Sequence, residues 1–578
     1  REIQMSHSDM RSCLPLLLLA ASASADLFTS IADMQLLMDS EKYIPQVLDK
    51  YIKQEQTRLE ELRDLAKNYA ARNEKQMATG IKDLTNPINA YLMIKKKIFD
   101  WRDIESHMKL NGAGNFLEKL ARSNYGIRQP TDEDLTGAAI ALLRLQDTYR
   151  LDTRQLANGK IFHVQSNYTF NAFDCFEIAR AAYNQEDYYH VIPWMQEALE
   201  RLDKEDPPSA ERTDILEYLA FALYKQGNLK RALQLTEELF QLDPKHPRAK
   251  GNVKWYEDLL AEEGVKKSDM RRSIPAVENR RPESALENTE RTMYEALCRN
   301  EVPVSPKAQA KLYCYLKRDR PFLYLAPIKV EIVRHKPLAV LFRNILSDDE
   351  QDTIKELATP KLARATVQDS QTGKLVTANY RISKSAWLKG YDHPVIQRVN
   401  RRIDMMTNLD METAEELQIA NYGIGGHYDP HFDHARKEEV KAFSDLGTGN
   451  RIATVLFYMT EPQIGGGTVF TEVKSSIQPT KNDALFWYNL WKYGDGDART
   501  RHAACPVLVG IKWVSNKWIH ELNQDWRRPC GLSMHEQERY VGDQGGPEPK
   551  DAPNLSPFPR PAPGKWIWPK WKQSQSAD

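Results

Sequence analysis

Residues 420–434 read ANYGIGGHYDPHFDH, and residues 502–512 read HAACPVLVGIK. Side chains two positions apart on an extended segment point to the same side, so His431 and Asp433 can bind one ion together. His502 can then supply a third ligand from a later segment. Two histidines and one carboxylate that leave open positions are the ligand set of non-haem Fe(II) oxygenases, and the pattern predicts such a centre.

Lys512 lies in the same stretch as His502, and its ammonium group suits the remote carboxylate of a keto-acid cosubstrate. A single H-x-D is common by chance, and here it occurs twice, because His427 and Asp429 precede His431. Spacing alone does not choose between the two pairs, although Pro430 stiffens the approach to the second. A histidine-rich surface loop and a catalytic zinc site, which also takes three protein ligands, remain open alternatives here.

From about residue 330 the sequence changes to short β runs separated by turn residues. Candidate strands lie at 338–342, 453–459, 468–470, 484–487 and 506–511. So many short strands predict a jelly roll, a double-stranded β-helix whose mouth can hold a ligand. We place this domain at residues 331–535, which makes the whole chain a multidomain α + β protein.

Residues 151–262 contain a weak internal sequence repeat with helical spacing. Tyr183 and Tyr224 stand in matching segments, and each is followed by a second helical stretch that ends in Leu-Asp. After removal of the loop 204–209, the period approaches the tetratricopeptide length of about 34 residues. The pattern predicts a helix-turn-helix module with a concave face.

That face should carry Phe221, Tyr224 and Trp255, with Arg248 and Asn252 nearby. Aromatic residues at helical spacing are more often core than binding site. The surplus of tyrosine around them favours a groove for a proline-rich peptide, whose rigid polyproline II form loses little entropy on binding.

The remaining segments differ in composition. Residues 26–150 are predicted to be helical, either as a short coiled coil that joins two copies or as helices packed on their neighbours. Residues 1–25 have a short apolar core and an Ala-Ser-Ala cleavage site, which predicts a signal peptide. Residues 263–330 are predicted to be a linker and a disulfide-stapled connector, and residues 536–578 a disordered tail with several tryptophans.

Lys plus Arg and Asp plus Glu both total 80, so the formal net charge is zero. This balance gives no reason to expect a nucleic acid or an anionic membrane as partner. Outside residues 1–25, no run is long and apolar enough for a membrane span. The predicted signal peptide sends the chain into the secretory pathway, where the sequons at Asn167 and Asn554 are candidate glycosylation sites.

The same oxidising compartment favours disulfides. Beyond residue 25 the chain has cysteines at 175, 298, 314, 505 and 530. We expect two local pairs, Cys298–Cys314 and Cys505–Cys530, with Cys175 left over.

Several stretches resemble the collagen prolyl 4-hydroxylase α subunit. They are ANYGIGGHYDPHFDHARK, LGTGNRIATVLFYM, GGGTVF, FWYNL, TRHAACPVLVGIKWVSNKW and RRPC, with YRISKSAW, TAEELQ, DTYRLDT and DCFE upstream. The resemblance covers nearly the whole chain from residue 26 to about residue 535. By the family pattern Tyr-x-Pro-His-Phe-Asp, it implies that the iron ligands are His431, Asp433 and His502 and that Lys512 holds the keto acid.

The resemblance also assigns roles elsewhere. His427 and Asp429 stand where the family more usually has Gln and Glu. The family's peptide-substrate-binding positions fall on Phe221, Tyr224, Arg248, Asn252 and Trp255. Phe221 and Trp255 replace the more usual tyrosine, which keeps stacking but removes phenolic hydrogen bonds. The N-terminal helices correspond to a dimerisation region, and the family's disulfides map onto the two cysteine pairs expected above.

The implied activity is hydroxylation of proline at C4 in X-Pro-Gly sequences of procollagen-like chains. It is coupled to oxidative decarboxylation of 2-oxoglutarate by O2 to succinate and CO2. The resemblance further implies L-ascorbate as reductant, protein disulfide isomerase as partner in an α2β2 tetramer, and retention in the endoplasmic reticulum lumen by that partner. A hydroxylase of other secreted proline-rich proteins and a non-catalytic subunit that binds such chains are the alternatives.

Overall fold

The computed structural model describes residues 27–42, 44–45, 59–109, 130–282, 289–368, 375–439, 442–443, 446–534 and 536–543. The predicted signal peptide, the tail beyond residue 543 and Asn554 lie outside these residues. The chain divides into two compact units, Arg1–Thr289 and Glu290–Asp578. Within the described part, every helix is too short or too polar to span a membrane.

The first unit is helical, as predicted. Its helices are α1 (Ile31–Glu41), α2 (Leu59–Thr79), α3 (Ile81–Leu84), α4 (Pro87–Lys109), α5 (Asp132–Tyr149), α6 (Thr153–Ala157), α7 (Ala172–Asn184), α8 (Tyr188–Leu202), α9 (Arg212–Lys225), α10 (Leu229–Leu242) and α11 (Ala249–Glu262). A small hairpin of β1 (Lys160–Ile161) and β2 (Val164–Gln165) separates α6 from α7.

Polar side chains determine where several of these helices begin. Thr131 and Asp134 form a reciprocal capping box at the start of α5, and Asn171 and Asp174 form another at the start of α7. Such boxes satisfy backbone N–H groups that have no partner inside the helix. From α7 to α11 each helix packs against the next, with Gly227 at positive φ in the turn between α9 and α10. The predicted helix-turn-helix module is therefore confirmed.

A buried ion pair holds the N-terminal helices together. Lys96 of α4 donates to Glu41 of α1 across 2.9 Å, and both side chains are buried. Tyr69 of α2 also hydrogen-bonds Glu41. These helices therefore pack on one another within the chain. Part of the predicted coiled-coil stripe (46–58) lies outside the described residues, and the joining of two copies stays a prediction.

The first part of the predicted linker lies against the repeat module. Residues 263–282 contain no helix or strand. Nevertheless, the Asn228 amide exchanges two hydrogen bonds with the backbone of Glu278, at 2.6 and 2.8 Å. Asn279 donates to the carbonyl of Tyr189 at 2.7 Å, and Arg281 reaches Asp147 at 3.2 Å. This segment, which its composition predicted to be a linker, is therefore docked on the surface of the helices.

The second unit is rich in short strands, as predicted. Its strands are β3 (Cys314–Lys317), β4 (Ile328–His335), β5 (Leu338–Arg343), β6 (Ala363–Arg364), β7 (Thr366–Gln368), β8 (Leu375–Thr377), β9 (Arg381–Ile382), β10 (Lys384–Leu388), β11 (Leu417–Tyr422), β12 (His427–His431), β13 (Arg451–Tyr458), β14 (Ile464–Gly465), β15 (Thr468–Phe470), β16 (Ser475–Ile477), β17 (Ala484–Tyr488), β18 (His502–Ala504), β19 (Val507–Val509) and β20 (Lys512–His520). Its helices are α12 (Thr289–Cys298), α13 (Pro306–Gln309), α14 (Pro321–Leu325), α15 (Asp348–Ala358) and α16 (Pro394–Thr407).

Two antiparallel sheets form the jelly roll. The larger runs in the order β3-β4-β5-β17-β13-β20-β11-β10-β6, and the smaller in the order β16-β15-β18-β12-β9. A hydrophobic cluster joins them, since it includes Tyr422, Leu456 and Trp487 from the larger sheet and Phe470 and Ile477 from the smaller. The core therefore lies between the sheets, and side chains that point inward from β12 and β18 face the central strands of the other sheet.

The disulfide differs from the prediction. Cys298 pairs with Cys505, and Cys314 and Cys530 are exposed free thiols, so both predicted local pairs are wrong. The Tyr294 hydroxyl on α12 donates to the carbonyl of Ala504, which holds the end of α12 beside β18. The partner of Cys298 is therefore set by tertiary packing, whereas the prediction used nearness in sequence. Cys175 is a buried free thiol, as expected for the cysteine left over.

Candidate metal centre and active site

A glycine-rich turn carries the chain from one sheet to the other, between β11 and β12. Gly425 has a φ of +58°. A Cβ at Gly426 would lie 3.0 Å from the Gly423 nitrogen and from the Ile382 carbonyl oxygen. Both contacts are with backbone, so a larger residue at position 426 would fit only if the turn shifted by a few tenths of an ångström. This turn places β12 between β18 and β9 in the smaller sheet.

His431, Asp433 and His502 meet at that position. His431 of β12 and His502 of β18 are paired in the antiparallel register. One ligand atom from each of the three residues lies within 4.8 Å of the others. Asp433 Oδ1 is 3.7 Å from His431 Nε2, and Asp433 Oδ2 is 3.6 Å from His502 Nε2. The three residues that the sequence predicted are thus within reach of a single ion.

Backbone carbonyls fix the orientation of both imidazoles. His431 Nδ1 is 2.8 Å from the carbonyl oxygen of Asp429, and His502 Nδ1 is 2.9 Å from that of Thr500. A carbonyl only accepts hydrogen bonds, so each Nδ1 carries the proton. Each Nε2 therefore has a lone pair that faces Asp433. A histidine that binds a metal through Nε2 needs this tautomer.

The charge states of the group also suit a metal ion. Burial and the nearby His502 lower the pKa of His431 well below its usual value, so this imidazole is neutral. Burial opposes ionisation of Asp433, but His502, His431 and Arg451 outweigh it and lower its pKa to about 2. The site thus offers two imidazole nitrogens and one ionised carboxylate, the donor set expected for Fe(II).

Lys512 is the first residue of β20 and is 1% exposed. Its ammonium donates to the carbonyl of Gly466 at 2.6 Å and lies 4.8 Å from the centre of the Tyr422 ring. Burial lowers the pKa of Lys512 to about 7. Among the residues that the structure describes, no carboxylate forms an ion pair with Lys512. Such a buried cation is the complement of an anionic ligand, and the far carboxylate of a keto acid fits it.

One pocket contains Lys512 and all three members of the His-Asp-His group. Its wall includes side chains that the sequence analysis did not select: Arg381, Tyr422, Tyr428, Leu456, Thr468, Trp487, Val514, Asn516 and Trp518. They come from both sheets, and only the strand register brings them together. Apart from their nearness to the two motifs, the sequence offers no signal that selects them.

The first H-x-D pair is not part of the metal group, which among the described residues contains only the second pair. His427 is 3% exposed and its Nε2 lies 3.4 Å from Asp429 Oδ1. The register of β12 shifts between Tyr428 and His431, so that His431 and not His427 stands opposite His502. The register shift in β12 therefore places the second H-x-D pair, and not the first, beside His502. The spacing in the sequence alone did not distinguish the two pairs.

In the repeat module, Phe221, Tyr224 and Trp255 form a continuous aromatic row. The ring centres of Phe221 and Tyr224 are 5.8 Å apart, and those of Tyr224 and Trp255 are 4.7 Å apart. Tyr183 extends the row, with its ring 5.7 Å from Phe221. Trp255 remains 39% exposed. Accessible edge-to-face rings of this kind form a surface on which a flat, apolar peptide can pack.

The polar members of the predicted groove lie at the start of α11. Arg248 is exposed and paired with Glu217, and the backbone N–H of Asn252 donates to the Arg248 carbonyl at 2.9 Å. Tyr256 is fully buried, so this aromatic residue belongs to the core of the module and not to a binding surface. Elsewhere in the unit, Asn167 is exposed and accessible to a modifying enzyme.

Three protein families match the chain. Residues 30–163 match the prolyl 4-hydroxylase alpha-subunit N-terminal region, and residues 172–262 the prolyl 4-hydroxylase peptide-substrate-binding domain. Residues 417–520 match the 2OG-Fe(II) oxygenase superfamily. The last match spans the His-Asp-His group and Lys512.

Individual relatives match over nearly their full length. Prolyl 4-hydroxylase subunit alpha-1 of Caenorhabditis elegans is 68% identical, over 95% of this chain and 98% of that protein. The alpha-1 subunit of Gallus gallus is 47% identical, over 88% of this chain and 99% of that one. The alpha-1 subunit of Homo sapiens is 46% identical, over 90% and 98% respectively.

Proposed function

The chain belongs to the family of prolyl 4-hydroxylase α subunits, and from this we propose that its metal centre hydroxylates proline at C4 in X-Pro-Gly sequences. It is a 2-oxoglutarate- and Fe(II)-dependent dioxygenase that acts on procollagen-like chains. The observation that carries the proposal is the pocket in which two correctly protonated histidines, one carboxylate and a buried lysine converge.

The residues of the pocket have separate tasks. His431 and His502 present Nε2 atoms and Asp433 a carboxylate, so together they would hold Fe(II) on one side and leave the other side open. Lys512 would bind the far carboxylate of 2-oxoglutarate and so aim its keto-acid end at the metal. The bound iron, with 2-oxoglutarate and O2, supplies the oxidation that places a hydroxyl on proline.

The walls of the pocket protect this chemistry from water. Tyr422, Leu456, Trp487 and Val514 line it and are buried. A dry wall strengthens the attraction between Lys512 and an anionic cosubstrate, because charges interact more strongly away from water. It would also keep bulk water away from the space between the His-Asp-His group and Lys512.

The aromatic row of the repeat module holds the substrate chain. Phe221, Tyr224 and Trp255 stack on proline rings, while Arg248 and Asn252 bind its backbone carbonyls. A polyproline II peptide is already rigid, so an exposed row of rings binds it with little loss of entropy. Because Phe221 and Trp255 lack the phenolic hydroxyl, the preference among proline-rich peptides should depend on stacking.

The proposal extends to compartment and partner. The Cys298–Cys505 disulfide fits an oxidising compartment such as the endoplasmic reticulum lumen. The relatives are named as alpha subunits, which supports a second kind of subunit. We assign this role to protein disulfide isomerase in an α2β2 tetramer, with L-ascorbate as the reductant that restores Fe(II). The resemblance of the sequence to the family supports both assignments.

The direct test is product analysis. The chain, co-expressed with protein disulfide isomerase, is supplied with Fe(II), 2-oxoglutarate, O2, ascorbate and a (Pro-Pro-Gly)n peptide. Succinate and 4-hydroxyproline should form in equal amounts, whereas a (Pro-Ala-Gly)n peptide, in which no proline directly precedes glycine, should yield no 4-hydroxyproline. Iron binding without any peptide-dependent 4-hydroxyproline would refute the proposed activity.

A further inference from the structure

A chain of two hydrogen bonds lies behind the carboxylate of the metal group. The Thr454 hydroxyl donates to Asp433 Oδ2 at 2.7 Å. The Asn489 side-chain amide in turn donates to the Thr454 hydroxyl oxygen at 2.8 Å. All three side chains are buried, with exposed fractions of 5% for Asp433, 1% for Thr454 and 0% for Asn489.

The direction of these hydrogen bonds follows from the donors. A threonine hydroxyl carries one proton. Because Asn489 donates to its oxygen, that proton is free to point at Asp433. The carboxylate accepts it at one oxygen, which restricts rotation of the carboxylate plane. Asn489 therefore sets the orientation of Thr454, and Thr454 sets that of Asp433.

Central strands of the larger sheet hold both outer residues in place. Thr454 lies on β13 and is paired with Trp487 of β17 on one side and Trp518 of β20 on the other. Asn489 directly follows β17, and its backbone N–H continues the ladder to the Ile452 carbonyl at 2.8 Å. A side chain on such a strand is held more firmly than one on a loop.

The arrangement is not explained by stability alone. Asn489 Oδ1 is buried and has no hydrogen-bond partner among the residues that the structure describes. An unsatisfied buried acceptor destabilises the fold, so an apolar residue of similar size would serve the core better. A buried polar residue that is kept despite such a penalty points to a role at the site it contacts.

We infer that Thr454 and Asn489 are positioning residues that orient the Asp433 carboxylate for metal binding. This inference rests on the proposed function, because it takes Asp433 as a ligand of the iron. Residues that hydrogen-bond a metal ligand typically change metal affinity by about 10–100-fold when they are removed. Neither residue is among those that line the pocket, so their effect should appear in metal binding before any turnover takes place.

The test compares Thr454→Val with Thr454→Ser in the full chain co-expressed with its partner. Mn(II), which resists oxidation, is titrated against each variant by calorimetry. Valine keeps the shape but loses the hydroxyl, so Mn(II) affinity should fall by about 10–100-fold. Serine keeps the hydroxyl, so its affinity should stay within about threefold of the wild-type value.

Thr407→Val is the matched control. Thr407 is also fully buried, and its hydroxyl donates to the Ile403 carbonyl at 2.7 Å, but it contacts neither Asp433 nor the pocket. This variant should lose some thermal stability and keep wild-type Mn(II) affinity. If Thr407→Val and Thr454→Val lost Mn(II) affinity equally, the loss in Thr454→Val would be due to general destabilisation. That result would overturn the inference.

Asn489→Leu provides a second route if Thr454→Val does not fold, because it leaves Thr454 in place. It should lower Mn(II) affinity in the same direction. Wild-type affinity in every folded variant that lacks one of the two groups would refute the inference. Mn(II) binding does not depend on which peptide is oxidised. A wild-type chain that binds Mn(II) but makes no 4-hydroxyproline would therefore refute the proposed function separately.

Discussion

The metal centre and the aromatic row differ in how far their side chains are exposed and in what holds them in place. At the metal centre, Lys512 is 1%, Asp433 5% and His502 6% exposed, whereas Trp255 in the aromatic row is 39% exposed. The buried polar groups are each fixed by a hydrogen bond, such as that from Thr454 to Asp433. In the aromatic row, Phe221 and Tyr224 are half-buried, and the three rings contact one another edge to face. A buried polar site must be complete before its ligand arrives, whereas an exposed apolar surface tolerates exchange of one ring for another.

Because the side chains of the metal centre are buried and fixed, the loss of a metal ligand should lower activity more than any other change considered below. His431→Ala should lower turnover by more than about 100-fold, since even residues that only support a ligand change metal affinity by 10–100-fold. His427→Ala is the matched control on the same strand and should retain metal binding. The measurement is iron content and succinate formation. Loss of iron in His427→Ala, with retention in His431→Ala, would assign the metal to the other H-x-D pair.

Lys512→Met should act on the cosubstrate and not on iron. Truncating one partner of a buried charge pair costs about 2–5 kcal/mol, which corresponds to a rise of at least roughly 30-fold in the 2-oxoglutarate requirement. The KM for 2-oxoglutarate is measured beside the Fe(II) requirement. Lys517→Met is the control, because Lys517 is buried on the same strand but lies outside the pocket. A comparable rise in both variants would mean that Lys512 does not bind the cosubstrate.

A change in the aromatic row should have a smaller effect, and only on long substrates. Trp255→Ala should raise the KM for a long (Pro-Pro-Gly)n peptide by about 5–30-fold, the equivalent of 1–2 kcal/mol for an exposed aromatic contact. The kcat should be unchanged. Phe162→Ala removes an exposed ring elsewhere in the same unit and should have no such effect. A fall in kcat at saturating peptide would contradict a role limited to substrate binding.

The last prediction concerns pH. Since burial lowers the pKa of Lys512 to about 7, its charged fraction falls as pH rises through that value. An anionic cosubstrate requires the charged form, so the KM for 2-oxoglutarate should rise between pH 7 and pH 9, by at most about tenfold per unit. The dependence should disappear in Lys512→Met. A KM that is flat or falls over this range in the wild-type chain would refute the assignment.

The sequence could predict those parts of the site that chemistry restricts to a few residue types. His431, Asp433, His502 and Lys512 could be found because metal ligands and a carboxylate-binding cation leave few candidates at the right spacing. The choice between the two H-x-D pairs required the register shift in β12. Thr454 could not be selected, because its role arises from the alignment of β13 with two other strands.

Predictions about the fold were wrong or incomplete for the same reason, namely that they concern contacts between residues far apart in sequence. The helical first unit and the jelly roll follow from periodicities that are local in sequence. The Cys298–Cys505 disulfide depends on how α12 packs against β18, which no local pattern contains. Residues 263–282 have the composition of a linker, yet side-chain amides such as that of Asn228 hold their backbone on the helices.

The separation of chemistry from substrate binding is the central claim, and the His502→Ala variant tests it most directly. Calorimetry would measure its affinity for a long (Pro-Pro-Gly)n peptide, beside succinate formation by the same preparation. We expect no turnover and a peptide affinity within about twofold of the wild-type value, since the two sites belong to separate compact units and share no residues. Parallel loss of turnover and of peptide binding would contradict the division of labour between the metal centre and the aromatic row.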